Sequence, residues 1–572
     1  MKAFAVSLLV CVCALAQDHH HAPDAETAVD LAKVPKPVSL EGIGHSHIAI
    51  TTKSPEAQRW FDQGLALLHC FWDYEALRAF AEALRLDPDC AMCHWGAARA
   101  LTSRGGNEDQ AKAELAHAKD LSAKASDREQ RYIRADSESK EQKGDEAGRA
   151  FAKEMEALIE RYPDDVEARL LYALQLNHGY DEKGDPRLGT VYGQDALREL
   201  LRQYPDNAAA NHYWIHAVEG SAHPEWAVAS AEKLGALAPA SGHMVHMPGH
   251  IFYRIGDYER ARQIFLAAMR VDQDYMANQH VAVRDDWNYA HNISYLIADC
   301  AEEGRYAEAL EHARSLAGLA NDPDRTESPG FYVLQIGSTE ARLAIRYGRW
   351  QDAIDRPMSF GVPDDKLNVW AREYRNGIVA YARGMRAAEA DRPAEAEEQS
   401  NALDALLWRL SQEDLSDKLD DKNRGPRDRV LKLLGTASLE LRGDIAGHRG
   451  DFETARSLLA RADDAETKLG YSEPPQYSRP ALEVLGALCT RAGKFDEARA
   501  AFGKALARRP RSGFALYGIA AAWEKEGKRS EAAKAYREFL EAWSHADRDL
   551  PQIRSAQESL AAAESGARLS GQ

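Results

Sequence analysis

The feature that most constrains this chain is a turn that keeps returning. GDYERARQIFLAAMRVD begins at Gly256, GRYAEALEHARSLAGL at Gly304 and GDFETARSLLARA at Gly450. GKFDEARAAFGKALARRP begins at Gly493 and GKRSEAAKAYREFLEAW at Gly527, while FWDYEALRAFAEALRLDP runs from Phe71 to Pro88. In each, a glycine-x-aromatic turn or a close variant precedes an alanine, an apolar residue four later and often another three after that. Spacings of three and four put these residues on one buried helical stripe. The glycine accepts the turn between two helices, and the alanine lets them approach closely. A chain punctuated this way is predicted to be a stack of helical hairpins.

From Gly493 to Gly527 the spacing is 34 residues, the length of a tetratricopeptide unit. The expected fold is therefore all-α, a tetratricopeptide-like helical-hairpin solenoid wound as a right-handed superhelix. Composition agrees. Hydrophobic residues make up 45% of the chain, enough for a packed core, and strong helix formers dominate. The expected organisation is a signal peptide at 1–16, a flexible lead at 17–44 and a first array at 45–320. Irregular hairpins at 331–410, further repeats at 430–545 and a frayed tail at 546–572 follow. NDPDRTESPG at 321–330 and the charged stretch at 411–429 mark the breaks.

Charge and targeting narrow the partners. The formal charge is −18, from 90 acidic against 72 basic residues, which disfavours nucleic acid. MKAFAVSLLVCVCALAQ has a basic start, an apolar run and a small-residue Ala14-Leu15-Ala16 end, the pattern of a cleaved secretory signal. The expected compartment is periplasmic or secreted. The apolar run is too short to span a bilayer, and no longer run follows. Cleavage leaves Cys70, Cys90, Cys93, Cys300 and Cys489, too few and odd for a disulfide scaffold.

HSHIAITTKSPEAQRWFDQGLALLH, LRLDPDCAMCHWG, NHYWIHAVEGSAHPEWA and GHMVHMPGHIFYRIGDYERA resemble segments of a family of secreted bacterial tetratricopeptide proteins, over roughly residues 45–310. The resemblance implies the superhelical fold and assigns no activity.

The histidines cluster. His243, His246 and His250 fall at spacings of three and four, and His212, His216 and Glu219 at four and three, so each set occupies one helix face. Counting from Ala261 and Ala227 as the repeat alanines puts His212 and His216 at the same repeat positions as His246 and His250. His243, Glu219 and His291 are a turn away. In the proteins this chain resembles, those positions line the concave groove. Histidine and glutamate so placed suit a divalent transition metal such as Zn, Cu or Fe. Tyr253 and Arg254 are candidate ligand-binding residues, Arg254 for an anionic group. Metal-free binding of a protein or peptide in the groove explains the same cluster.

Cys90-Ala91-Met92-Cys93-His94 matches the attachment sequence for haem c. Against that reading, the motif lies inside a repeat helix that must pack tightly, so no covalent haem is expected. A Cys90–Cys93 disulfide or a copper-binding thiol pair are the rivals. Cys300 and Cys489 fall at core positions. His19, His20 and His21 form a run usual in inert tails. No GxSxG, HExxH or P-loop is present. The readings are a binding scaffold for metal and/or peptide, a metal-dependent enzyme using the histidines and Glu219, and a haem protein.

Overall fold

The protein is described by a computed structural model covering residues 29–570, apart from 105–106, 182–183, 320–328, 357, 359–366 and 413–420. The expected signal peptide, the first part of the lead, including His19–His21, and most of the 321–330 break lie outside the described residues. Helices make up the described chain, with an isolated bridge between Tyr180 and Pro186. It divides into two compact units, one ending at Pro248 and the other beginning at Gly249.

The first unit opens with a correction. Residues 29–44 are not a free lead but a strap over the first hairpin. Gln63 accepts from the Leu40 amide at 3.0 Å and donates to the Val38 carbonyl at 2.9 Å. Arg78 donates to the Pro35 carbonyl at 3.2 Å and Arg85 to the Leu31 carbonyl at 3.1 Å. Extended backbone without ladder partners is held by side chains that supply its missing bonds.

Helix Pro55–His69 starts on Ser54, whose side chain accepts from the Ala57 amide, with Pro55 in the first turn. It pairs with Asp73–Leu86, and the hairpins continue through Ala208–Glu219 and Val228–Leu237 to Gly242–Ile255, in which the unit ends. Phe61, Phe80, Trp95 and Tyr132 are fully buried between the hairpins. Each such ring contributes about 1.5–3 kcal/mol of burial.

In the second unit the turn pattern is visible in the backbone. Gly256, Gly304, Gly450, Gly493 and Gly527 all have φ between +72° and +85°, a region side chains resist. The amide after each of the first two closes the helix, Asp257 onto the Phe252 carbonyl at 2.8 Å and Arg305 onto the Cys300 carbonyl at 2.9 Å. Gly348 and Asp391 make the same turn, at φ +64° and +54°. They lie five residues before Ala353 and Ala396, a signal that identifies them as further repeats.

Two expectations change here. Residues 421–429 of the expected 411–429 break begin a helix spanning Asp421–His448, while 413–420 lie outside the described residues. The tail contains helix Pro551–Ser570, which buries Ile553 and Ala556. Apolar residues three apart and a proline at the first position make that end a closing helix rather than a frayed one. Cys300 and Cys489 are buried, as their repeat positions require.

Candidate metal centre

The site in the first unit is built from two helices and one turn. Asn207 caps helix Ala208–Glu219, accepting from the Ala210 amide at 2.8 Å, and that helix carries His212, His216 and Glu219. Helix Gly242–Ile255 carries His243 on its first turn. The His212 and His216 Nε2 atoms are 3.0 Å apart, and the His212 and His243 Nε2 atoms 3.1 Å. All three residues are at most 4% exposed.

The outer contacts determine the tautomers. His212 Nδ1 is 2.7 Å from the His69 carbonyl, which can only accept, so Nδ1 donates. His216 Nδ1 is 2.6 Å from the Glu219 carboxylate and donates to it. When both rings are neutral, their Nε2 lone pairs face each other at 3.0 Å, a separation where they repel. A proton or a metal cation between them removes the repulsion. Burial holds the His212 imidazole well below the usual histidine range, with the His69 carbonyl opposing, so a proton on that ring is disfavoured. Nitrogens on a tetrahedral zinc lie about 3.3 Å apart at ordinary Zn–N lengths, close to the distances present.

Phe71 closes the site. Its ring lies 4.7 Å from that of His212, 5.3 Å from His216 and 5.6 Å from His243. It stands five residues before Ala76, the place that other hairpins give to glycine, and it keeps the left-handed φ of +53°. An aromatic side chain there costs roughly 1–3 kcal/mol. His69, which supplies the carbonyl, is itself held by Glu167 at 2.6 Å and the Tyr213 hydroxyl at 2.7 Å. Sequence reading passed over Phe71, His69 and Glu167. For Phe71, the missing glycine was the available signal.

Equal repeat positions would have set His246 and His250 opposite His212 and His216. Within the first unit it is His243, a turn before His246, that makes the nitrogen contact with His212, because neighbouring first helices are staggered and not level. His246 stacks on His243 with ring centres 6.1 Å apart. Glu219 is fully buried and acts behind His216. These side chains form packed interior rather than the wall of an open groove, because Phe71 and the His69 backbone fill the space they face.

In the second unit, His250 Nδ1 lies 3.6 Å from Glu473, and its ring is 5.9 Å from that of His291. His291 Nδ1 reaches Gln335 at 3.3 Å. Tyr253 is buried against Tyr258 and Tyr295. Arg254 lies over the Tyr471 ring, 5.5 Å from its centre.

Cys90 and Cys93 are joined as a disulfide and are at most 1% exposed. His94 Nδ1 is 2.6 Å from Glu114, and its Nε2 is 3.1 Å from the Pro88 carbonyl. With both sulphurs bonded to each other and packed inside, these residues do not fit a covalently attached haem. His223 stacks on Trp226 with ring centres 4.6 Å apart.

The tetratricopeptide repeat family matches residues 491–547. A search of curated proteins returned no match. The chain is similar to the crystal structure of yeast Tom70, at 14% identity over 90% of this chain and 96% of that one, with a TM-score of 0.29. It is also similar to the Cut9–Hcn1 hetero-tetramer of APC/C, at 12% identity over 89% and 90%, with a TM-score of 0.29. A human IFIT1 dimer with m7Gppp-AAAA is similar at 14% identity over 87% and 92%, again with a TM-score of 0.29. None of these scores is high enough to carry an inference. What stands is an all-α protein of helical hairpins whose residues 491–547 match the tetratricopeptide repeat.

Proposed function

We propose that this protein is an exported repeat scaffold that holds a divalent transition metal in its first unit, with His212, His216 and His243 as ligands. One observation carries the reading: the Nε2 atom of buried His212 lies 3.0 Å from that of His216 and 3.1 Å from that of His243, while the His212 and His216 Nδ1 atoms face a carbonyl and a carboxylate. Acceptors behind histidine ligands orient the rings and raise their basicity. Imidazole donors suit Zn, Cu or Fe. Three histidines leave a fourth position for water or substrate on a tetrahedral ion, and a metal-dependent enzyme is the extension of this reading. Export is supported by the residue 1–16 pattern and by the Cys90–Cys93 disulfide, which persists in oxidising compartments. No helix among the described residues is long and apolar enough to cross a membrane.

Metal analysis of native-source protein tests the site. We expect stoichiometric metal, lost in His212→Ala with His243→Ala and retained when His19–His21 are replaced. Glu219→Gln should weaken binding about 10–100-fold. Chelation should lower the melting temperature while leaving the helical signal, since apolar packing holds the hairpins. Native protein without metal, or loss of metal through the tail replacement alone, would sink the proposal. A metal-free scaffold for protein ligands then takes its place, because stacked hairpin repeats are a protein-binding architecture.

A further inference from the structure

The second unit contains an independent cavity of about 50 Å³, lined in part by Ser294, Glu302, Arg342, Arg346, Ser478 and Arg509. Its charges do not cancel. Arg346 donates to Glu302 at 3.0 and 3.1 Å and to Glu483 at 2.6 and 3.1 Å. Arg509 donates to the same Glu302 at 3.1 Å and to the Tyr477 carbonyl at 2.9 Å. Ser512 adds a 2.8 Å bond to Glu302. Two carboxylates thus serve two arginines, and the third arginine is left over.

That third arginine is Arg342, only 9% exposed. It donates to the Leu334 and Pro475 carbonyls and, at 3.4 Å, to the Ser478 hydroxyl. Among the described residues no carboxylate pairs with it. Burial and the neighbouring Arg509 cation depress its pKa, against the Tyr374 and Tyr253 phenols. Of the three cavity arginines, Glu466 acts on Arg509, and burial lifts the Glu466 carboxyl to about 7. A buried, uncompensated cation is costly, and the usual remedy is a bound counter-charge. A second side chain points the same way. Ser294 is 1% exposed, lines the cavity, and its Oγ has no hydrogen-bond partner.

We infer that this cavity is a binding site for a small carboxylate monoanion, held by the Arg342 guanidinium and the Ser294 hydroxyl. A guanidinium fork matches a planar carboxylate in two parallel bonds. The surplus of one positive charge is neutralised by a monoanion. A dianion such as phosphate would replace one uncompensated charge with another. The volume is room enough for an ion of acetate size.

The test uses the full chain and three sodium salts at matched ionic strength: acetate, phosphate and chloride. We expect acetate to raise the melting temperature saturably, from which its affinity follows. Arg342→Gln should weaken that affinity about tenfold or more, and Ser294→Ala severalfold. Ser294→Ala removes one hydroxyl from an otherwise unchanged packing, so it keeps the test alive if the arginine variant does not fold. An equal effect of chloride, a stronger effect of phosphate, or a wild-type acetate response in the folded variants would overturn the assignment.

Discussion

Phe71 shows how one residue can be kept against its backbone. Its turn takes glycine in six other hairpins, and φ of +53° is unfavourable for any side chain with a Cβ. The ring's position over the His212, His216 and His243 rings gives the strain a use. Replacing Phe71 by glycine relieves the strain but strips the cover from the imidazoles. We expect Phe71→Gly to leave the melting temperature of metal-free protein within a few degrees. Metal affinity should fall severalfold, in line with about 0.5–1.5 kcal/mol for an aromatic contact. Paired melts and metal titrations decide it. Unchanged affinity would make the ring a mere filler of the turn.

Helix packing depends on where a Cβ is tolerated. A Cβ at Gly249 would lie 2.3 Å from the Phe265 ring, and one at Gly486 2.7 Å from the Phe502 ring. In both cases a first-helix glycine seats the phenylalanine of the second helix, at matching repeat positions. Gly503, on helix Phe495–Arg508, would place a Cβ in open space. We therefore expect opposite signs from the same substitution. Gly249→Ala should destabilise by about 1–3 kcal/mol through overpacking. Gly503→Ala should stabilise by about 0.5–1 kcal/mol, because alanine loses less backbone freedom in a helix. Denaturant midpoints at constant slope measure both. Equal effects would mean that the ring contact is not close enough to matter.

At the scale of the whole molecule, buried carboxyls tie stability to pH. Asp73 is 7% exposed and its pKa is pushed up to about 7, mainly by burial, with Arg104 opposing. A carboxyl raised in the folded state binds its proton more tightly there than in the unfolded chain. Its contribution is fully present below about pH 4 and is lost as pH rises through about 7. The slope cannot exceed about 1.4 kcal/mol per pH unit for one proton. Stability measured from pH 4 to 8 should therefore fall less steeply in Asp73→Asn than in the wild type, and identical slopes would reject the assignment.

The hairpins were legible because their causes are local. A stripe at spacings of three and four makes a helix face, and a glycine at left-handed φ ends the helix, so Gly256, Gly304, Gly450, Gly493 and Gly527 could be read as turns without knowing any contact. The buried places of Cys300 and Cys489 followed from the same register. Other features depended on how one helix lies against the next. The stagger of neighbouring helices decides that His243, and not His246, meets His212. Chain folding also brings Arg342, from helix Thr339–Arg346, beside Ser478 and the Pro475 carbonyl, more than a hundred residues away. Periodicity specifies which face of a helix is buried. Only the packed structure specifies what that face meets, because stagger and long-range neighbours arise from the fit of all the side chains at once.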